Sequence, residues 1–180
     1  MMKYEIMYMA WGIKLNRKTN RRECMDIRET IKDIADNHHG FLKQELPVIK
    51  SLAYKILKVH YHDCKDELIL VHRQYGRVQN ELELALVKKQ MILLPMIWDY
   101  QKKPSEDLLD EIRRTVDEVE ADNEILLGEL EGLKEKTNTY TMPESGCPTY
   151  DNTYKRMEKL HHEVEKYIEI ERKMYKELLG

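Results

Sequence analysis

Counting back by threes and fours from Ile92 lands on Lys89, Ala85, Leu82, Val78, Tyr75, Val71 and Leu68. That is the seam of an amphipathic helix, broken by one ammonium group at Lys89. A first seam precedes it: Ile31, Ala35, His39, Leu42, Leu46, Ile49, Ala53, Ile56 and His60. A third reads Leu109, Ile112, Val116, Val119, Asn123, Leu126, Leu130 and Leu133. The fourth reads Met157, His161, Val164, Ile168, Glu171, Tyr175 and Leu178, with Tyr167 beside the stripe. Turn and cap signals bound these seams. They predict helices over about 25–60, kinked at Pro47, over 66–100, over 105–136 and over 152–179. Ser105, in the run Pro104-Ser105-Glu106-Asp107, is the expected cap of the third, and the loop TNTYTMPESGCPTYD separates the third from the fourth. Short connections between long helices make neighbours antiparallel. The expected fold is all-α: an up-down-up-down four-helix bundle over residues 25–180, preceded by an N-terminal extension over 1–24.

Each polar residue on a seam has an ordinary explanation. His39 suits a hydrogen-bonded core histidine, Asn123 a register-setting amide, and Lys89 and Glu171 long side chains reaching water at a bundle end. Four interruptions on otherwise regular seams are harder to explain one at a time. Inward carboxylates and histidines on facing helices are the materials of di-iron carboxylate sites.

Composition supports the helical reading. Charged residues make up 35%, aromatics 8%, and there are seven glycines and five prolines in 180 residues, so breakers are scarce. Thirty basic and 33 acidic residues give a net charge of -3, which argues against nucleic acid or an anionic membrane as the partner. Cys24, Cys64 and Cys147 are widely spaced and form no CxxC pair, which fits a reducing, cytoplasmic setting. The segment MMKYEIMYMAWGIKLNRKTNRR has a short apolar run broken by Glu5, with its basic cluster after it. A docking arm, or a strand or helix packed on the bundle, is expected there rather than a signal or a spanning helix. There is no Gly-rich phosphate loop and no nucleophile elbow.

Several segments carry a family resemblance: HHGFLKQELP (38–47) with KVH (58–60), ILLPMI (92–97), TNTYTMPESGC (137–147) and YIEIERKMY (167–175). Over roughly residues 26–179 the chain resembles the hemerythrin-like domain of the iron–sulfur cluster repair di-iron proteins. The TN…T.PE..C loop and its spacing to YIEIE are the more specific parts. The resemblance implies a bundle holding two irons between histidines and two HxxxE pairs. Carried over by position, the first-helix ligand falls on His39 and the second-helix pair on Ala85 and Lys89. The third-helix histidine falls on Asn123, the fourth-helix pair on Tyr167 and Glu171, and a further family histidine on His60. Thus His39, His60 and Glu171 match the family's residue types, whereas Ala85, Lys89, Asn123 and Tyr167 depart from them. His60 is a doubtful partner for His39, because 21 residues along a continuous helix span about 31 Å. Its better place is at the helix C-terminus.

A lysine brings positive charge to the place of the metals, and amide and phenol are weak ligands beside imidazole and carboxylate. The expectation is a buried Lys89–Glu171 ion pair replacing the cluster, with His39, Asn123 and Tyr167 hydrogen-bonding around it. A register-shifted pair, His161 with Glu165, lies about 9 Å along the fourth helix and finds no matching pair on the second. His38, His62, His72 and His162 are expected at the surface. The expected function is therefore a divergent hemerythrin-like protein without cofactor, binding an unidentified protein or small molecule rather than catalysing, with a homodimer allowed. One alternative is an iron protein, di-iron or mononuclear, of iron–sulfur cluster repair or of the oxygen or nitric oxide response, using His39 and Glu171. A second is a coiled-coil-like structural adaptor, which would be elongated rather than compact.

Overall fold

The computed structural model describes residues 25–180; the N-terminal extension expected over 1–24, and Cys24 within it, lie outside the described residues. The described chain is helical, with elements α1 (Ile27–Asp33), α2 (His39–Val59), α3 (Lys65–Lys88), α4 (Leu94–Lys102), α5 (Glu106–Lys136) and α6 (Pro148–Leu179). A π-helical turn over Ile34–His38 joins α1 to α2, and a second over Lys89–Leu93 joins α3 to α4. These pairs form two continuous rods, and with α5 and α6 they make the four-helix bundle. Rod α1–α2 packs on rod α3–α4 and on α6, and α5 packs between α3 and α6, closing the ring. No described helix is long and apolar enough to cross a membrane.

The helix starts follow capping chemistry. Asp26 accepts from the amides of Arg28 (3.0 Å) and Glu29 (3.3 Å) to open α1. Ser105 accepts from the Leu108 amide at 3.3 Å to open α5, as its cap signal predicts. Helix α6 begins at Pro148, four residues before the expected Asn152. Proline at the first helical position is preset in φ and has no N–H to leave unpaired. Pro47 lies inside α2, which continues to Val59.

The π turns correct two seams. Ile92, on the seam expected from the sequence, is 49% exposed, and Leu93 is buried in its place. In the first rod Ile34 is buried and Ala35 only half-buried. A π turn holds one residue more than an α turn, so the apolar stripe slips by one position across it.

The core falls into two apolar clusters. The larger gathers residues such as Leu42, Ile49, Val78, Leu82, Leu126, Leu130, Leu160 and Val164. The smaller, at the other end, gathers Ile34, Leu93, Ile97, Ile112, Val119 and Met174. On all four helical rods buried polar residues lie between the two clusters: His38 and His39, Lys89, Asn123, and Glu171. The bundle therefore carries one buried polar layer between two apolar halves.

Candidate functional site

Lys89 is the first residue of its π turn, and both it and Glu171 are 0% exposed. The Lys89 Nζ donates to Glu171 Oε2 at 2.6 Å, to Asn123 Oδ1 at 2.9 Å and, more weakly, to the Tyr167 hydroxyl oxygen at 3.5 Å. All three ammonium donors are thus directed at oxygen acceptors, and Nζ also stands 4.6 Å from the centroid of the Tyr167 ring. Burial raises the Glu171 carboxyl above its ordinary range, and the Lys89 ammonium works against that shift. Burial pushes the Tyr167 phenol well above its usual range, so it stays protonated. The Asn123 amide nitrogen, left free by its carbonyl's contact, donates to Glu120 Oε1 at 3.3 Å.

His39 completes the layer. Its Nδ1 lies 2.9 Å from Gln90 Nε2, and Gln90 Oε1 accepts from Lys43 Nζ at 2.7 Å. The lysine orients the amide, so Gln90 donates to Nδ1 and the imidazole proton sits on Nε2. Burial above all, then the nearby Lys89 charge, lowers the His39 pKa to about 3, so the ring is neutral. Its Nε2 faces Glu171 Oε1 at 3.9 Å, beyond hydrogen-bond reach, and neither atom has a hydrogen-bond partner among the described residues. The His39 and Tyr167 rings meet edge to face at 5.7 Å.

His39, Lys89, Asn123, Tyr167 and Glu171 therefore meet in one buried layer, with buried Ala85 one turn below Lys89 on the same seam. His60 is not among them. It ends α2, donates its backbone N–H to the Ile56 carbonyl, and places Nε2 3.2 Å from the sulfur of Cys147, the residue capping α6. That contact, with lesser help from the amides of Tyr150 and Thr149, lowers the Cys147 thiol to about 7. His38 is only 4% exposed, against the expectation of a surface residue, because the π turn rotates it inward, where its Nδ1 meets Glu163 Oε1 at 2.5 Å.

Gln90 and Cys147 give no periodic signal of their role. Gln90 lies off the seam and enters through the π turn, and the Cys147–His60 contact joins a loop to a helix end 87 residues away. A separate group, Glu131 with His161 and Glu165, brings one ligand atom from each residue within 4.8 Å of the others.

No family model matches the chain. It is similar to the iron–sulfur cluster repair protein YtfE of Pectobacterium atrosepticum, with 25% identity over 145 residues. The match covers 81% of this chain but 62% of that protein, so the chain spans less than two thirds of its relative's length. The resemblance to the hemerythrin-like iron–sulfur cluster repair family, drawn from the five segments, is supported by that relative.

Proposed function

We propose that this chain is a hemerythrin-like bundle in which a lysine–glutamate pair stands where the family holds its two irons, and that it acts by binding rather than by redox chemistry. The observation that supports this is the position of the Lys89 ammonium, fully buried and 2.6 Å from the fully buried Glu171 carboxylate. A di-iron centre needs carboxylates that bridge two cations, with imidazoles completing each. Here Glu171 Oε2 is already engaged by a cation, Ala85 offers a methyl group, and within the layer only His39 Nε2 and Glu171 Oε1 lack a hydrogen-bond partner among the described residues. This donor set does not fit two irons, and the ammonium would repel them.

The scaffold role follows. With its centre closed by a charge pair, the bundle offers its outer surface and loops to a partner, a protein or a small molecule, in the cytoplasm and in the setting that the relative's name suggests. Residues 25–180 form the bundle on this reading, and 1–24 an extension to it.

Iron and zinc analysis of protein produced in metal-rich medium tests the proposal, with the variant A85H/K89E/N123H/Y167H beside it. The unaltered chain is expected to hold no iron that depends on Glu171, and the variant to gain iron and visible absorbance. Near-stoichiometric iron in the unaltered chain, lost on Glu171→Gln, refutes the reading.

A further inference from the structure

We propose that Glu131, His161 and Glu165 form a site for one divalent transition-metal cation of the zinc type, separate from the central layer. His161 and Glu165 stand one turn apart on α6, and Glu131 faces them from the last turns of α5. His161 lies ten residues before Glu171 on the same helix, about 15 Å along the axis.

The imidazole is the fixed point. Its side chain is 4% exposed, its Nε2 lies 3.7 Å from Glu131 Oε1 and 3.5 Å from Glu165 Oε1, and its Nδ1 is 2.8 Å from the Tyr140 hydroxyl. Zinc takes nitrogen and oxygen at about 2.0–2.2 Å, which puts tetrahedral ligand atoms about 3.3–3.5 Å apart. The two imidazole–carboxylate separations are close to that, the three ligand atoms lie within 4.8 Å of one another, and rotation of the two carboxylates, whose side chains are 54% and 49% exposed, would draw them in. Water completes the coordination from the open side.

The contact behind the ring also suits a cation. The Tyr140 hydroxyl beside Nδ1 can either donate to it or accept from it. When Nδ1–H donates to the Tyr140 oxygen, Nε2 presents its lone pair to the two carboxylates, the arrangement of a ligating histidine held by an outer partner. Tyr140 reaches His161 from the last of three successive left-handed residues, Asn138, Thr139 and Tyr140 (φ 48°, 57° and 58°).

Two competitors must yield. Lys134 Nζ lies 3.2 and 3.3 Å from the Glu131 oxygens, and His162 Nδ1 lies 3.3 Å from Glu165 Oε2. Both contacts are exposed and therefore weak. One imidazole with two carboxylates favours zinc, manganese or ferrous iron over soft cuprous ion.

Calorimetric titration of the full chain with zinc chloride tests the site, with Glu131→Gln and Glu165→Gln as exposed variants that leave the core untouched. One zinc per chain is expected, bound at least about tenfold more weakly by each variant, together with a zinc-induced rise in melting temperature that both variants lack. Absence of saturable binding by the unaltered chain, or binding unchanged in both variants, overturns the site. The outcome is separable from that of the central layer, because only metal lost on Glu171→Gln and retained in these two variants counts against the metal-free centre.

Discussion

Replacing Lys89 by methionine keeps the volume of the side chain and removes its charge. Glu171 is then left fully buried without its cation, and Asn123 Oδ1 loses a donor. Breaking a buried pair by removing one partner costs about 3–5 kcal/mol, most of it from the stranded charge. For a chain of this size that lowers the melting temperature by roughly 6–20 °C. The deficit depends on pH. Burial already raises the Glu171 carboxyl, and without Lys89 nothing in the pair opposes the shift. A carboxyl whose folded pKa lies above its unfolded value binds its proton more tightly when folded, so its contribution to stability falls as pH rises between the two values. Lys89→Met is therefore expected to be mild near pH 5 and severe near pH 8. The double variant Lys89→Met/Glu171→Met removes both charges and recovers most of the loss at every pH. Urea unfolding followed by circular dichroism at several pH values, over the full two-variant cycle, measures the coupling. A loss under about 1 kcal/mol for Lys89→Met, flat with pH, would show that the ammonium does not sit in a dry pair with Glu171.

Other outcomes follow from single contacts. Tyr75→Phe removes the buried hydroxyl that donates to the Leu46 carbonyl at 2.7 Å, and denaturant melts should show a loss of about 1 kcal/mol. Ser105→Ala strips the α5 cap and should cost about 1 kcal/mol in the same assay. Cys147, with its thiol lowered to about 7 chiefly by His60, should alkylate half-maximally near neutral pH; peptide mass spectrometry of iodoacetamide-treated His60→Gln protein should show the midpoint moved upward.

Much of the bundle was legible because 3.6-residue periodicity survives in the chain. The seams through Leu82, Leu126 and Val164 needed only counting, and Lys89 stood out because an ammonium on a stripe breaks the pattern. The layer's polar members on α5 and α6 were equally countable, since those helices run without interruption. What periodicity hides is a change of period. A constant period puts Ile92 and Ala35 on the buried stripe and His38 at the surface, and the structure differs because each lies in a turn with an extra residue. Gln90 escaped for the same reason. Tyr140 escaped for another: three consecutive left-handed residues, two of them Thr and Tyr, carry it over His161, and no propensity scale anticipates that conformation.

The π turn at Lys89–Leu93 also bears on how this chain tolerates a change of length. Removing one residue from an ordinary helix rotates everything beyond the cut by about 100°, turning the buried face towards water. Removing the exposed Met91 acts differently, since the π turn already holds one residue in excess. The turn would close to α geometry, leaving Lys89, Leu93 and Ile97 facing inward. Deletion of the equally exposed Leu84, in the regular part of α3, has no such slack to absorb it. The bulge is thus a built-in allowance for frame, and the segment around Lys89 is where this rod can lose a residue and still fold.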